Sequence, residues 1–283
     1  MKHAHLLIAV CSSLLGTASL PLAAAELVLL KDPDPQMALK IESSTEAKGG
    51  RSETKDATGQ ARQSIDITRT RLIHRTMHPD AIGGEVSYRI FRDGITTTLN
   101  GKPSIKSGGL EGRTAKARKN GAGNWTFSIP GASAFGEAAG DLEMLGGFEN
   151  RKWLPGRKVA IGESWNFAPN FIRRALQRDV PNPQVIGIMK LRKVEKAADG
   201  TRQAVIDCYI RGGGSNTLVD GAVAEAETGL AGTLTVNLDQ PGLMKLYLSG
   251  RLNTGTSNAR GSARAVMPLN MSVKISPLLA PTR

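Results

Sequence analysis

Cysteine is nearly absent from this chain. Two occur in 283 residues, Cys11 and Cys208. That excludes a disulfide scaffold and a cysteine-based zinc site. Aromatic residues make up only 4%, which leaves few platforms for stacking bases and argues against a nucleic-acid partner. Only four histidines are present. Acidic residues are the scarcer charge, 25 against 37 basic ones, for a formal charge of +12. Long hydrophobic runs are missing beyond residue 25, so no later stretch has the length to span a bilayer as a helix. What the chain does have is length, 40% apolar residues and 32 glycines. A chain of this size can bury a core without covalent staples.

The first 25 residues read as an address. Lys2 supplies a positive start, residues 6–22 form an apolar run broken by small residues and Pro21, and Ala23-Ala24-Ala25 precedes Glu26. This is the layout of a cleaved signal peptide. Val10 before Cys11 is too bulky for a lipid-attachment signal, so Cys11 belongs to the leader. The expectation is a periplasmic or secreted protein of a Gram-negative bacterium, with no transmembrane segment after cleavage and Cys208 as its lone thiol.

The remaining chain has a period of two. Ala263, Ala265, Met267, Leu269, Met271, Val273 and Ile275 alternate with mostly polar neighbours, as on a half-buried strand. Pro268 in that run cannot donate to a ladder, which places it at an edge or a bulge. Leu234, Val236 and Leu238, a turn at residues 239–242, and Met244, Leu246 and Leu248 read as a hairpin. A second hairpin turns at Asp199-Gly200, with Ala204, Ile206, Cys208 and Ile210 on one face. A third has Val86, Tyr88 and Ile90 before Asp93-Gly94, and Asn100-Gly101 offers another turn of the same chemistry. The polar tract at residues 45–62 reads as a mobile loop or a poorly formed hairpin. Helical signals are confined to residues 169–178, opened by a proline and stopped by Pro181, and to residues 133–145.

The pattern therefore predicts a mainly β fold, with antiparallel sheets or half-barrels and one or two short helices. An N-terminal β region spans residues 26–128, a small-residue connection 129–155, and a C-terminal β region 156–283, in one compact unit. Two echoes suggest related halves. Leu110-Glu111-Gly112-Arg113 resembles Leu248-Ser249-Gly250-Arg251, and Trp125-Thr126-Phe127 resembles Trp165-Asn166-Phe167.

The stretch Leu154-Pro155-Gly156-Arg157-Lys158-Val159-Ala160-Ile161-Gly162-Glu163-Ser164-Trp165 resembles a recurring phrase in an uncharacterised family of exported bacterial β-rich proteins. There an apolar-Pro segment leads to Val-x-x-Gly-[Asp/Glu]-[Ser/Thr]-Trp, a short helix and strand hairpins. Gly232-Thr233-Leu234-Thr235-Val236-Asn237-Leu238 is similar to a later hairpin of the same proteins. The resemblance spans about half of the chain. It implies a β fold and an exported location, and no activity.

Chemistry-bearing patterns are few. His74 and His78 share a strand face but stand roughly 13 Å apart by strand rise, too far for one metal. No Gly-x-Ser-x-Gly elbow occurs. Cys208 shares its face with Ile206 and Ile210, where a small thiol packs as a hydrophobe. The acids at Glu137, Asp141 and Glu143 read as solvated charge, and Gly212-Gly213-Gly214 lacks the lysine and helix of a phosphate loop. No catalytic residue, metal or cofactor is expected, and the chain reads as a non-enzyme.

Basic residues are the remaining feature. Arg69, Arg71 and Arg75 alternate along one strand. Arg173, Arg174 and Arg178 crowd the short helix, with Arg157 and Lys158 upstream. These last five are the candidate ligand-binding residues, an anion-facing rim beside an apolar sheet. The favoured partner is an anionic lipid or another envelope component, and no nucleic acid is expected. The functional expectation is an exported binding protein for an apolar or anionic, lipid-like ligand. The alternative is a structural or protein-interaction module without a ligand pocket. A large apolar cavity would favour the first and a solid interior the second.

Overall fold

A computed structural model describes residues 27–78, 84–177, 180–240 and 242–278. The expected leader and Arg178 lie outside these residues. Of the described residues 65% are strand and 8% helix. In order it forms β1 (Leu27–Leu30), β2 (Leu39–Asp56), β3 (Gly59–His78), β4 (Glu85–Leu99), β5 (Lys102–Ser107), β6 (Thr114–Lys119), β7 (Trp125–Ser128), α1 (Glu137–Glu149), β8 (Arg157–Ala160), β9 (Ser164–Phe167), α2 (Asn170–Leu176), β10 (Gln184–Lys196), β11 (Arg202–Thr217), β12 (Val223–Asn237), β13 (Met244–Asn258) and β14 (Gly261–Pro277). The expected mainly β class, with antiparallel sheets and two helices, is what the molecule adopts.

One large antiparallel sheet runs β7-β6-β4-β3-β2-β14-β13-β12-β11-β10-β9, with β5 paired to β4 beside this path. It is two meanders joined through the β14–β2 pairing, where Ile275 lies opposite Ile41. The sheet is not closed into a barrel. Register shifts at residues 47–50, 191–193 and 266–270 mark bulges, which bend strands and sharpen twist. Pro268 sits in the last of these, in a central strand, so the bulge reading of that proline holds and the edge reading does not. A separate ribbon pairs β1 with β8.

The inward face is set by strand parity. Leu230, Leu234 and Val236 on β12, Leu246 and Leu248 on β13, and Ile275 on β14 join one core with Val28, Leu30 and Val159 of the ribbon and with both helices. The sheet therefore curls round the segment linking its two halves. Trp153 is at the centre, 2% exposed. Its ring meets Phe148 at 5.7 Å and Phe171 at 5.8 Å, and its carbonyl accepts the Trp165 indole N–H at 2.8 Å. The two tryptophan echoes turn out to be β7 and β9, the two edges of the sheet. The Leu-x-Gly-Arg echo does not correspond: residues 110–113 form a turn before β6, whereas residues 248–251 lie within β13.

Three local expectations are corrected. Residues 45–62 are not a loop; they follow the hairpin alternative, as the distal arms of β2–β3, paired without interruption from Gly50 opposite Ile65 to Asp56 opposite Gly59 beyond the register shift at residues 47–50. Their polarity reflects exposure of both faces, not lack of pairing. Asp93-Gly94 is not a turn. β4 runs straight through it to Asn100-Gly101, where both residues have positive φ. Asp93 is there to meet buried arginines. The first helix is shifted four residues downstream of the expected 133–145. Three of its carboxylates meet basic side chains of the sheet, beside the buried Leu142 and Leu145.

Candidate ligand-binding cleft

The side of α1 facing the sheet is acidic. Glu137, Asp141 and Glu149 fall at steps of four and eight, so they share one helix face. Each meets a cation. Lys106 on β5 reaches Glu137 at 3.0 Å. Arg69 and Arg71 on β3 reach Asp141 at 2.6 and 2.7 Å. Arg75 donates to Glu149 through Nε and Nη2 at 2.9 and 2.6 Å, and Tyr88 donates to the same carboxylate at 2.5 Å. Asp93 completes the middle of the ladder. Arg69 and Arg71 both donate to it, at 2.7 and 2.9 Å.

Asp93 and Asp141 have no exposed side-chain surface, while Arg69 keeps 18% and Arg71 13%. Burial pushes the Asp93 carboxyl up, but the hydrogen bonds from Arg69 and Arg71 and their charges outweigh it and hold it below the ordinary range. The Tyr88 phenol is pushed well up, by burial first and by Glu149 second, so it remains a donor. The strand of arginines that reads from sequence as an anion-attracting field is thus spent on the chain's own carboxylates. Asp141, expected to be solvated, is buried. Parity carries a sequence signal for this: Ile67 and Ile73 point inward, so Arg69 and Arg71 between them must too, and buried arginines need acids.

Another side of α1 meets β7 and α2, closely at the buried Gly147 and at ordinary contact distance at Gly146. A methyl on Gly146 would stand 3.5 Å from the Trp125 carbonyl of β7. One on Gly147 would stand 3.3 Å from the Asn170 carbonyl of α2. Asn150, after the helix, satisfies the open edge of β7: its Oδ1 accepts the Trp125 N–H at 2.9 Å, and its Nδ2 donates to the Trp125 carbonyl at 3.0 Å. By strand alternation the Phe127 N–H and carbonyl point to the same side as those of Trp125.

Between β7, α1 and α2 lies a cleft of about 850 Å³. Phe127, Ile129 and Leu142 give it apolar surface. Asn170, Arg173, Arg174, Gln177 and Glu143 form its polar side. Phe171, Ile172 and Leu176 bury the other face of α2 and leave both arginines outward. Arg174 donates to Gln177 at 2.9 Å and lies 3.9 Å from the exposed Glu143. Arg173 donates to the Val185 carbonyl at 3.5 Å.

The five expected rim residues separate. Arg173 and Arg174 line the cleft. Arg157 and Lys158 stand on β8, outside the cleft lining, where Arg157 pairs with Glu163 at 2.5 Å. Arg178 is not among the described residues. Two further clefts, of about 760 and 750 Å³, lie on the outer face of β10–β14 and beside β1. In the first of these, Arg211 and Arg264 have Glu227 and Glu225 at 3.8 and 3.7 Å, so the field there is largely self-cancelled.

The other candidates fall apart in space. His74 packs its ring on Phe91 with centroids 4.4 Å apart, and His78 contacts the Ser87 hydroxyl at 3.0 Å. Among the described residues no cluster of three or more His, Cys, Asp or Glu is placed to hold a metal. Cys208 is fully buried, and burial pushes its thiol up to about 12.

No protein-family model matches the chain, and no curated protein does. Among solved structures, DynF from the dynemicin biosynthesis pathway of Micromonospora chersina is 11% identical, covering 92% of this chain and 88% of its own, with a TM-score of 0.21. Pseudomonas aeruginosa OccK2 (OpdF) in complex with glucuronate is 10% identical, covering 85% of this chain and 98% of its own, with a TM-score of 0.20. Scores this low transfer neither fold nor function.

Proposed function

We propose that the protein is a non-enzymatic binding protein whose site is the cleft between β7, α1 and α2. Its ligand has an apolar body and an anionic head. The observation that carries this reading is the pairing of the apolar surface of Phe127, Ile129 and Leu142 with the outward guanidinium groups of Arg173 and Arg174. The volume suits a single small amphiphile, since ligand pockets commonly run from about 300 to 1,000 Å³. With the expected leader, the site would serve the bacterial envelope, where acyl chains with acidic heads are abundant.

A second reading keeps one specific support. The space inside the curl is occupied by Trp153, the ribbon and both helices, packed into one core. That favours a structural or protein-interaction module over a carrier that swallows an acyl chain whole.

Titration with dansylaminoundecanoic acid separates the two. The binding reading expects saturable fluorescence enhancement, weaker binding of the methyl ester, and a loss of about tenfold in affinity on Arg173→Gln with Arg174→Gln, equivalent to about 1.4 kcal/mol. No saturable binding, or equal affinity of acid, ester and variant, would leave the structural reading standing.

A further inference from the structure

Four turns close the same end of the large sheet: residues 57–58, 100–101, 218–222 and 259–260. The strands that reach them outrun the core. Residues 59–64 of β3 and all of β5 are exposed, and so are the last residues of β2 and β13. Six residues of strand extend roughly 20 Å, so a substantial rim of sheet projects with both faces bare.

The side chains on this rim are unusual. Turn apices ordinarily carry Gly, Asn, Asp or Ser, which suit the backbone and water. The β11–β12 turn instead presents Leu218, 40% exposed, and Val219, fully exposed. On β5, which follows the turn at residues 100–101, Ile105 is 79% exposed, and Phe135, two residues ahead of the Glu137 that pairs with Lys106 of β5, is 80% exposed. Cations accompany them at the turns, including Lys102 and Arg260. The turn acids Asp56 and Asp220 are engaged locally, their Oδ1 atoms accepting the Thr58 and Ala222 N–H groups at 2.7 and 3.0 Å. The β6–β7, β10–β11 and β12–β13 turns at the other end are built from Asn120, Asn124, Asp199 and Asp239, and among their described residues none carries an exposed large apolar side chain.

We infer that this rim docks on an anionic phospholipid surface, with Val219, Leu218, Ile105 and Phe135 entering the headgroup boundary and the neighbouring cations meeting phosphate. Exposed apolar side chains at Leu218 and Val219 on one turn and Ile105 on β5, with Lys102 and Arg260 on neighbouring turns, combine the two contributions that hold proteins at such interfaces. The inference is independent of the cleft reading, because vesicle docking and probe binding in the cleft are measured separately.

The test places an environment-sensitive dye on Val219→Cys in a Cys11→Ser background. Buried Cys208 does not compete for the label. A second protein carries the dye on Leu29→Cys, because Leu27 and Leu29 form an exposed apolar pair on β1. Vesicles of phosphatidylcholine with one-third phosphatidylglycerol should raise emission at position 219 at least twofold, and position 29 should respond less. The response should fall as salt rises. Combining Leu218→Ser, Ile105→Ser and Phe135→Ser should lower vesicle affinity about tenfold, with the circular dichroism of the wild type. A silent dye at 219, a larger response at 29, or affinity unchanged in the triple variant would overturn the inference.

Discussion

Replacing Asp141 with Asn tests whether α1 is held by charge. The wild-type quartet of Arg69, Arg71, Asp93 and Asp141 is neutral, and all four side chains are buried or nearly so. The amide keeps the shape but removes one negative charge. It also turns an N–H pair toward guanidinium donors that stood 2.6 and 2.7 Å from carboxylate oxygens. Breaking a buried pair by removing one partner costs about 3–5 kcal/mol. The lower end applies here, because both arginines keep Asp93 and some contact with water. The expectation is a loss of about 3 kcal/mol in urea unfolding followed by circular dichroism, or a fall of roughly 6–12 °C in Tm for a chain of this length. A cycle pairing Asp141→Leu with Arg71→Met should recover part of that loss, since apolar replacement of a whole pair is far milder than its halving. If Asp141→Asn costs less than about 1 kcal/mol, or the cycle reveals no coupling, the ladder does not anchor the helix and its apolar contacts at Leu142 and Leu145 do.

Other outcomes follow from the same geometry. Because the Asp93 carboxyl lies below its unfolded value, near 3.9, its contribution is complete above that pH and is lost as pH falls through the folded value; thermal melts from pH 6 to pH 2 should show a steep acid loss that Asp93→Asn flattens. A methyl at Gly108 would stand 2.1 Å from Asp93 Oδ2, so Gly108→Ala should destabilise by about 1–3 kcal/mol in the same unfolding assay. Gly232→Ala, whose methyl would meet the Tyr247 carbonyl oxygen at 1.9 Å, should cost a similar amount. With its thiol raised from 9.0 to about 12, Cys208 should be alkylated in the folded protein roughly a thousandfold more slowly than after unfolding, because the thiolate is the reactive form; comparable rates in both states would refute its burial.

Alternation made the C-terminal half legible from sequence. Hairpins at Asp199-Gly200 and after Leu238 follow from a period of two interrupted by turn residues, and the buried rows of β12 and β13 are the ones that pattern marks. The N-terminal half is harder for a physical reason. Its strands β2 and β3 end in arms exposed on both faces, so no alternation exists to read. Nor does Asp93-Gly94 differ in local chemistry from a true type I′ turn. Only the long-range demand of Arg69 and Arg71 for a carboxylate keeps that pair inside β4. Of the cleft, α2 and its outward arginines could be read, because Pro169 and the spacing of Ile172 and Leu176 are local signals. The third wall could not. Gly146, Gly147 and Asn150 acquire meaning only once β7 is known to be a sheet edge.

The cleft exists because the sheet does not close. β7 and β9 are both only four residues long, too short to offer much pairing to each other or to another chain, which is one way of blunting an edge. Asn150 goes further at Trp125 by supplying, from a side chain, the donor and acceptor that a neighbouring strand would have supplied. The two helices then span the gap, and helices cannot pack along a strand edge as closely as another strand would. A groove must remain wherever their side chains are small, and Gly146 and Gly147 are placed along it. Replacing Gly147 with Leu therefore gives the reasoning its most direct check. The side chain would push against the Asn170 carbonyl, only 3.3 Å from a Cβ, and project toward Arg174. Probe affinity in the cleft should fall severalfold, at an overpacking cost of about 1–3 kcal/mol in stability, while the Asp141 ladder on the opposite face of α1 keeps the helix in place. Loss of folding in step with loss of binding would mean that α1 and α2 form a single packed unit with no groove to fill.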